Sequence, residues 1–224
     1  APGSFQELRN DIQRIHMNSD EEVFNLIERL YTCVREAATY NILGPLLMAM
    51  YNQLLKGELR KKGVDIAHFN VTDGMTELAE MDPAVHLGRM HAIYKGLPVD
   101  IQTTVREGDL ERLRVYKTAR DFCRDFDALI ARFGHLSDSG NDFSAVPWRD
   151  SPELILRLIP EQAAREDTGA RMSLRDLKMG GWGRLVFQFI YQRARQFRLL
   201  REQISSLYTL GYGLFRDCYL ELGR

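Results

Sequence analysis

The sequence predicts an all-α fold, an irregular multi-helix domain that ends in one long helix. Apolar residues recur three and four apart along most of the chain, the spacing of an amphipathic helix. No run alternates apolar and polar residues in the Val-, Ile- and Thr-rich manner of a half-buried strand. Residues 184–222 contain no proline. With 224 residues, 45% hydrophobic and 27% charged, there is material for one sizeable core or for two helical lobes, about 5–106 and 107–224. No tandem repeat of fixed period appears, which disfavours a solenoid.

Ala1-Pro2-Gly3-Ser4 reads as the remnant of a cleaved expression tag, and residues 5–224 as a helical domain excised from a larger protein. Ser19 then looks like an N-cap, with acids in the first turn at Asp20, Glu21 and Glu22 that suit the positive end of a helix. Val23, Leu26, Ile27, Leu30, Tyr31, Val34 and Ala38 follow at helical spacing. Gly44-Pro45 removes a backbone donor and obstructs the preceding turn, so a kink or a fresh helix start is expected there. Residues 42–55 form the most apolar window, interrupted by Gly44, Pro45, Asn52 and Gln53. They fall short of the roughly 20 residues of a membrane span and read as a core helix.

Gly57 and Gly63 end this unit, and a looser region leads to short helices near 75–80 and 83–94. A longer amphipathic helix is expected over 110–133 from Leu113, Tyr116, Ala119, Phe122, Cys123, Phe126 and Ile130. It delivers a dense polar loop, Phe133-Gly134-His135-Leu136-Ser137-Asp138-Ser139-Gly140-Asn141-Asp142-Phe143, which runs on to Pro147-Trp148-Arg149-Asp150. Ser151-Pro152-Glu153 is a cap with proline at the first helical position, opening an apolar helix to 159. The polar stretch to 177 reads as a mobile connector, and the last helix occupies 184–222.

The 30 basic and 31 acidic residues nearly cancel, so the strong positive field of a nucleic-acid binder is missing. Cys33, Cys123 and Cys218 are far apart and outside any CxxC spacing. They read as reduced, mostly buried residues of a cytoplasmic protein, with neither membrane nor nucleic acid as partner. Asp138, Gly140 and Asp142 imitate the start of an EF-hand, but Gly140, Phe143 and Arg149 stand where ligands, the turn glycine and the final acid belong. His86 and His91 are five apart and splay on a helix, which argues against a shared metal. No Walker loop and no Gly-x-Ser-x-Gly setting is present.

The polar loop therefore carries the candidate site. Ser137, Asp138, Ser139, Asn141 and Asp142 either bind a polar ligand or close Asx and Ser turns on their own backbone. His135, at a helix end beside acids and hydroxyls, is the candidate proton-transfer group. On the last helix the apolar stripe centres on Val186, Ile204 and Leu222, with Arg193 near its midline and Arg195, Arg198 and Arg201 on its flank. A buried guanidinium is costly unless paired, so Arg193 meets either an acid such as Asp138 or Asp142, or an anionic ligand. Met48, Met50, Tyr51, Met81, Met90 and Tyr94 either line an adaptable apolar pocket or pack the core.

The Phe-Gly-His helix end, polar loop, Pro-Trp-Arg and short apolar helix resemble the helical middle region of phosphoenolpyruvate-synthase-like phosphotransferases. That group includes rifampicin phosphotransferase. The Arg193-x-Arg195-x-x-Arg198-x-x-Arg201-Glu202 run is similar too, and Leu136 stands where the family loop often has arginine. The resemblance implies a division of labour in which an ATP-grasp domain phosphorylates the histidine of a mobile domain with ATP and Mg. The mobile domain then carries the phosphoryl group to a hydroxyl held by the helical domain. Under this resemblance the chain is the acceptor-binding part. It would hold no cofactor itself, be inactive in isolation, and use His135 catalytically with Ser137, Asp138, Ser139, Asn141, Asp142, Arg193, Arg198, Arg201, Met48 and Tyr51 around a small-molecule acceptor. The alternative is a non-catalytic helical scaffold or interaction domain.

Overall fold

The computed structural model describes residues 20–139, 142, 144–162, 172–177 and 180–223. Ala1-Pro2-Gly3-Ser4, Ser19, Asn141 and residues 163–171 of the expected connector lie outside them. Among the described residues the fold is all-α, with eight helices, and the isolated bridge between Phe69 and Met172 is the nearest approach to sheet. None of the described helices is long and apolar enough to cross a membrane. Two compact units are assembled from discontinuous segments. Among the described residues one takes 25–81, 172–177 and 180–208, the other 20–24, 82–139, 142, 144–162 and 209–223. A single cut near residue 106 therefore does not separate them.

In the first unit, helix α1, Asp20–Arg60, continues through Pro45. A proline forfeits one helical hydrogen bond but need not end a helix whose two flanks are held. Here Leu30 and Ala37 on one side and Leu55 and Leu59 on the other are all buried. The helix stops at Gly63, whose φ of 74° is costly for other residues, with Gly63 N donating to Arg60 O at 3.0 Å. A short turn capped by Asp65 follows, then helix α2, Thr76–Met81. Leu55, Leu59, Phe69, Val71, Phe187, Tyr191 and Ala194 form the core. Phe69 packs edge-on to Phe187 and Tyr191, at centroid distances of 6.2 and 5.9 Å, the arrangement aromatic quadrupoles favour.

The second unit contains helices α3, Pro83–Lys95, α4, Val99–Glu107, α5, Leu110–Val115, α6, Arg120–Phe133, and α7, Pro152–Leu158. Asp82 caps α3 by accepting from Ala84 N at 2.9 Å, and Pro83 occupies the first position. Gly108, at φ 73°, turns the chain from α4, and Asp109 caps α5. The single helix expected over 110–133 is broken at Tyr116, whose backbone is extended, and resumes through a short 3-10 turn. Leu113, Tyr116, Ala119 and Phe122 recur every third residue, a spacing that a 3-10 turn satisfies as well as an α-helix. The periodicity therefore survived the break. Leu87, Met90, Ile101, Leu113, Phe122, Phe126 and Leu156 belong to this unit's core. His91 is buried with Nδ1 2.8 Å from Ile159 O, a structural histidine.

Helix α8, Gly181–Leu222, supplies residues to both units. Its buried stripe is not straight. Phe187, Tyr191 and Ala194 are buried in the first unit, and Leu214, Phe215 and Cys218 in the second. At about 100° per residue these two sets lie roughly 130° apart in helical phase. The straight stripe predicted through Val186 follows only the second phase, and Val186 itself is 47% exposed.

Candidate functional site

Helix α6 ends at Gly134, where a side chain would collide with the backbone of Ile130 and come within 2.9 Å of Arg149 Cβ. Glycine there lets the returning chain lie against the helix end. Arg149 N donates to Gly134 O at 3.0 Å and Trp148 N to Leu136 O at 2.9 Å, fastening the two ends of the loop together. Pro147 is buried. Asp142 accepts from Ser144 N at 2.8 Å and Ser144 Oγ at 2.7 Å, an Asx turn of the kind the sequence offered. These donors hold the Asp142 carboxyl below the usual carboxylate range.

Four charges tie the loop to α8. Arg149 pairs with Asp217, and Arg216 Nη1 donates to Asp150 Oδ2 at 2.8 Å. Two Arg-Asp doublets, one on the loop and one on the helix, thus pair crosswise. Burial pushes the Asp217 carboxyl up, and Arg149 and Arg216 pull it back. Sequence reasoning missed this fastening because each doublet looks like ordinary solvated charge, and only their apposition makes it a clamp.

His135, Ser137, Asp142, Thr209, Tyr212 and Arg216 border a cavity of about 20 Å³, room for roughly one water molecule. The structure thus brings together His135, Ser137 and Asp142, while Asp138 and Ser139 are exposed and do not line the cavity. An imidazole and hydroxyls around a single water can relay a proton. They cannot enclose an acceptor molecule.

The remaining candidates belong to the first unit. Arg193 is not buried but exposed, 130° or so from the locally buried face. Its Nη1 donates to Gln196 Oε1 at 3.1 Å, and it lies 5.4 Å from the Phe189 ring centroid. The buried pairing with Asp138 or Asp142 is therefore replaced by a surface contact. Arg195 instead reaches inward, donating to Tyr191 Oη at 2.7 Å and to the carbonyls of Val71 and Asp73. Arg201 pairs with its neighbour Glu202 at 2.5 Å. Arg198 Nε is enclosed with no hydrogen-bond partner among the described residues. Tyr51 stacks on Phe197 at 5.2 Å, and Met48 is half-buried.

A larger concavity of about 530 Å³ opens in this unit, lined chiefly by Tyr40, Met81, Leu200, Gln203, Ile204 and Leu207. Its volume lies within the range of small-molecule sites. Met81 was among the sequence's pocket candidates. Leu200, Ile204 and Leu207 looked like ordinary helix core. Among the described residues no three His, Cys, Asp or Glu side chains converge as a metal would require, and the three cysteines carry free thiols. Compared with known proteins, the chain matches no family model, no curated protein and no solved structure.

Proposed function

We propose that this chain is the acceptor-binding helical domain of a cytoplasmic, ATP-dependent phosphotransferase of the phosphoenolpyruvate-synthase-like kind. The supporting observation is the apolar groove of about 530 Å³, large enough for a drug-sized hydroxyl compound. Leu200, Ile204 and Leu207 supply its apolar wall, and Tyr40 and Gln203 supply the few polar groups that orient a ligand. The transferred group arrives on the phosphohistidine of a separate mobile domain, charged by an ATP-grasp domain with ATP and Mg. The P–N bond to that histidine breaks, a P–O bond to the acceptor hydroxyl forms, and the hydroxyl proton is released. This domain contributes binding and orientation, a large share of phosphoryl-transfer catalysis.

The scaffold reading is favoured by one observation, the single-water cavity beside a loop clamped by crosswise ion pairs. One experiment separates the two. In the full-length protein, Leu207→Trp, which fills the groove, is compared with His135→Ala, Asp138→Asn and Arg198→Gln. Phosphorylation of the mobile histidine by ATP should continue in every variant. Transfer onward to the acceptor should fall at least roughly tenfold in Leu207→Trp and in any loop or arginine variant that orients the hydroxyl, the lower end of what a lost catalytic contact costs. Undiminished transfer in all four, with folding intact, would leave only the scaffold.

A further inference from the structure

Helix α1 is apolar on two faces, and only one of them is covered. Leu26, Leu30, Ala37, Leu55 and Leu59 are buried. Roughly 150° away in helical phase, Ile42, Leu43, Leu46, Met50 and Leu54 are all exposed, Ile42 by 72% and Leu46 by 63%. A single exposed apolar side chain is ordinary, but these five share one face and form a stripe. It amounts to on the order of 500 Å² of apolar surface, the upper range for the largest patch of a monomer. No charge interrupts it, since residues 37–55 contain no Asp, Glu, Lys or Arg. From α1 the groove described above takes Tyr40, so the stripe is a separate surface.

The two flanks of the stripe are opposite in sign. Residues 20–36 carry five acids and two arginines, a net charge of −3, and residues 56–62 carry four bases and one acid, a net charge of +3. Glu22 and Arg29 are already engaged, and Lys61 pairs with Glu58. Each couple takes out one charge of either sign and leaves the balance unchanged. A helix with an uncharged apolar middle between an acidic and a basic flank is complementary to itself when turned end over end. We propose that this stripe is a self-association face, on which a second copy of the chain lies antiparallel across a two-fold axis near Leu46. The axis sets Leu46 against its own copy, Ile42 level with Met50 of the other copy, and Glu36 level with Lys56 of the other copy. Parallel pairing would instead set acid on acid and base on base, which is unfavourable. Two stripes face to face remove roughly 1,000 Å² from water, the size at which a specific interface begins. The dimer is therefore weak and concentration-dependent. It rests on α1 alone and is independent of the phosphotransferase reading.

Sedimentation equilibrium of the whole chain should show monomer and dimer exchanging with a Kd on the order of 10 μM. Leu46→Glu puts like charges at the axis and should weaken the dimer at least about tenfold. Ile42→Lys, one turn away, does the same should Leu46→Glu fail to fold. Both positions are exposed, so the melting curve by circular dichroism, taken at a concentration where the chain is monomeric, should barely move. Charge reversal reads the orientation. Glu36→Lys and Lys56→Glu should each weaken the dimer about threefold, and the double variant should restore it, because the two flanks exchange sign together. A chain that stays monomeric at about 1 mM, a dimer that persists in Leu46→Glu and Ile42→Lys, or single reversals that the double variant does not rescue would overturn the proposal.

Discussion

Two arginines on α8, two residues apart, show how far side-chain direction outweighs residue type. Arg193 projects into solvent and, among the described residues, meets Gln196 and Phe189. Arg195 gathers Tyr191 Oη and two carbonyls of the 71–73 segment, with Tyr191 under its guanidinium at 5.2 Å. Exposed substitutions away from special features change stability little, so Arg193→Ala should stay within about 0.5 kcal/mol of the unaltered chain. Arg195→Gln strands the carbonyls and should cost about 2 kcal/mol. Urea unfolding of the two variants checks both, and equal effects would contradict the geometry. The same scale explains an inert thiol. Burial pushes the Cys218 thiol up to about 11, so it remains a protonated core residue at neutral pH.

Among the elements, α1 shows what a sequence can and cannot reveal. Asp20, Glu21 and Glu22 and the spacing from Val23 to Ala38 announced a helix start and its buried face. The Gly44-Pro45 step announced a kink or a fresh helix start, and the helix runs through it with no fresh start. Local propensity was overridden by burial on both sides of the proline. Gly44 is itself buried, and a Cβ there would lie 3.6 Å from Ile204 Cδ1, ordinary van der Waals contact. Alanine fits that space and favours a helix interior by up to about 1 kcal/mol over glycine. Gly44→Ala should therefore raise the melting temperature. A lower value would mean that the close passage of α8 demands glycine. The polar loop was legible as an element, with its Asx turn at Asp142 and its helix-ending Gly134. Its clamp was not, since Asp217 and Arg216 are 66 or more residues away from their partners, and no local pattern links them.

At the scale of the whole molecule, helix class follows from periodicity, whereas the partition into units does not. Each unit is assembled from segments distant in the chain, and return contacts leave no trace in local spacing. The two cores share no residue. Leu55 and Phe126 are both fully buried, so Leu55→Ala should cost about 2–5 kcal/mol and Phe126→Ala about 3–5 kcal/mol. Residues without common packing partners act additively. The double variant, measured under conditions where it still folds, should match the sum of the single effects to about 0.5 kcal/mol. A larger deviation would show that the cores are energetically coupled.

The bent stripe of α8 also constrains how this chain can tolerate change over time. Between Ala194 and Leu214 the helix passes from one buried phase to the other, and many positions on the way, such as Gln203 and Ser206, are exposed. Their identity is open to replacement as far as folding is concerned. Their number is not. Each residue gained or lost in that interval advances the helical phase by about 100°, which changes the register of Leu214, Phe215 and Cys218 with respect to Phe187, Tyr191 and Ala194. Length is therefore information along this interval, beside the identities of the residues in it that are buried or hydrogen-bonded, Ile204 and Arg195.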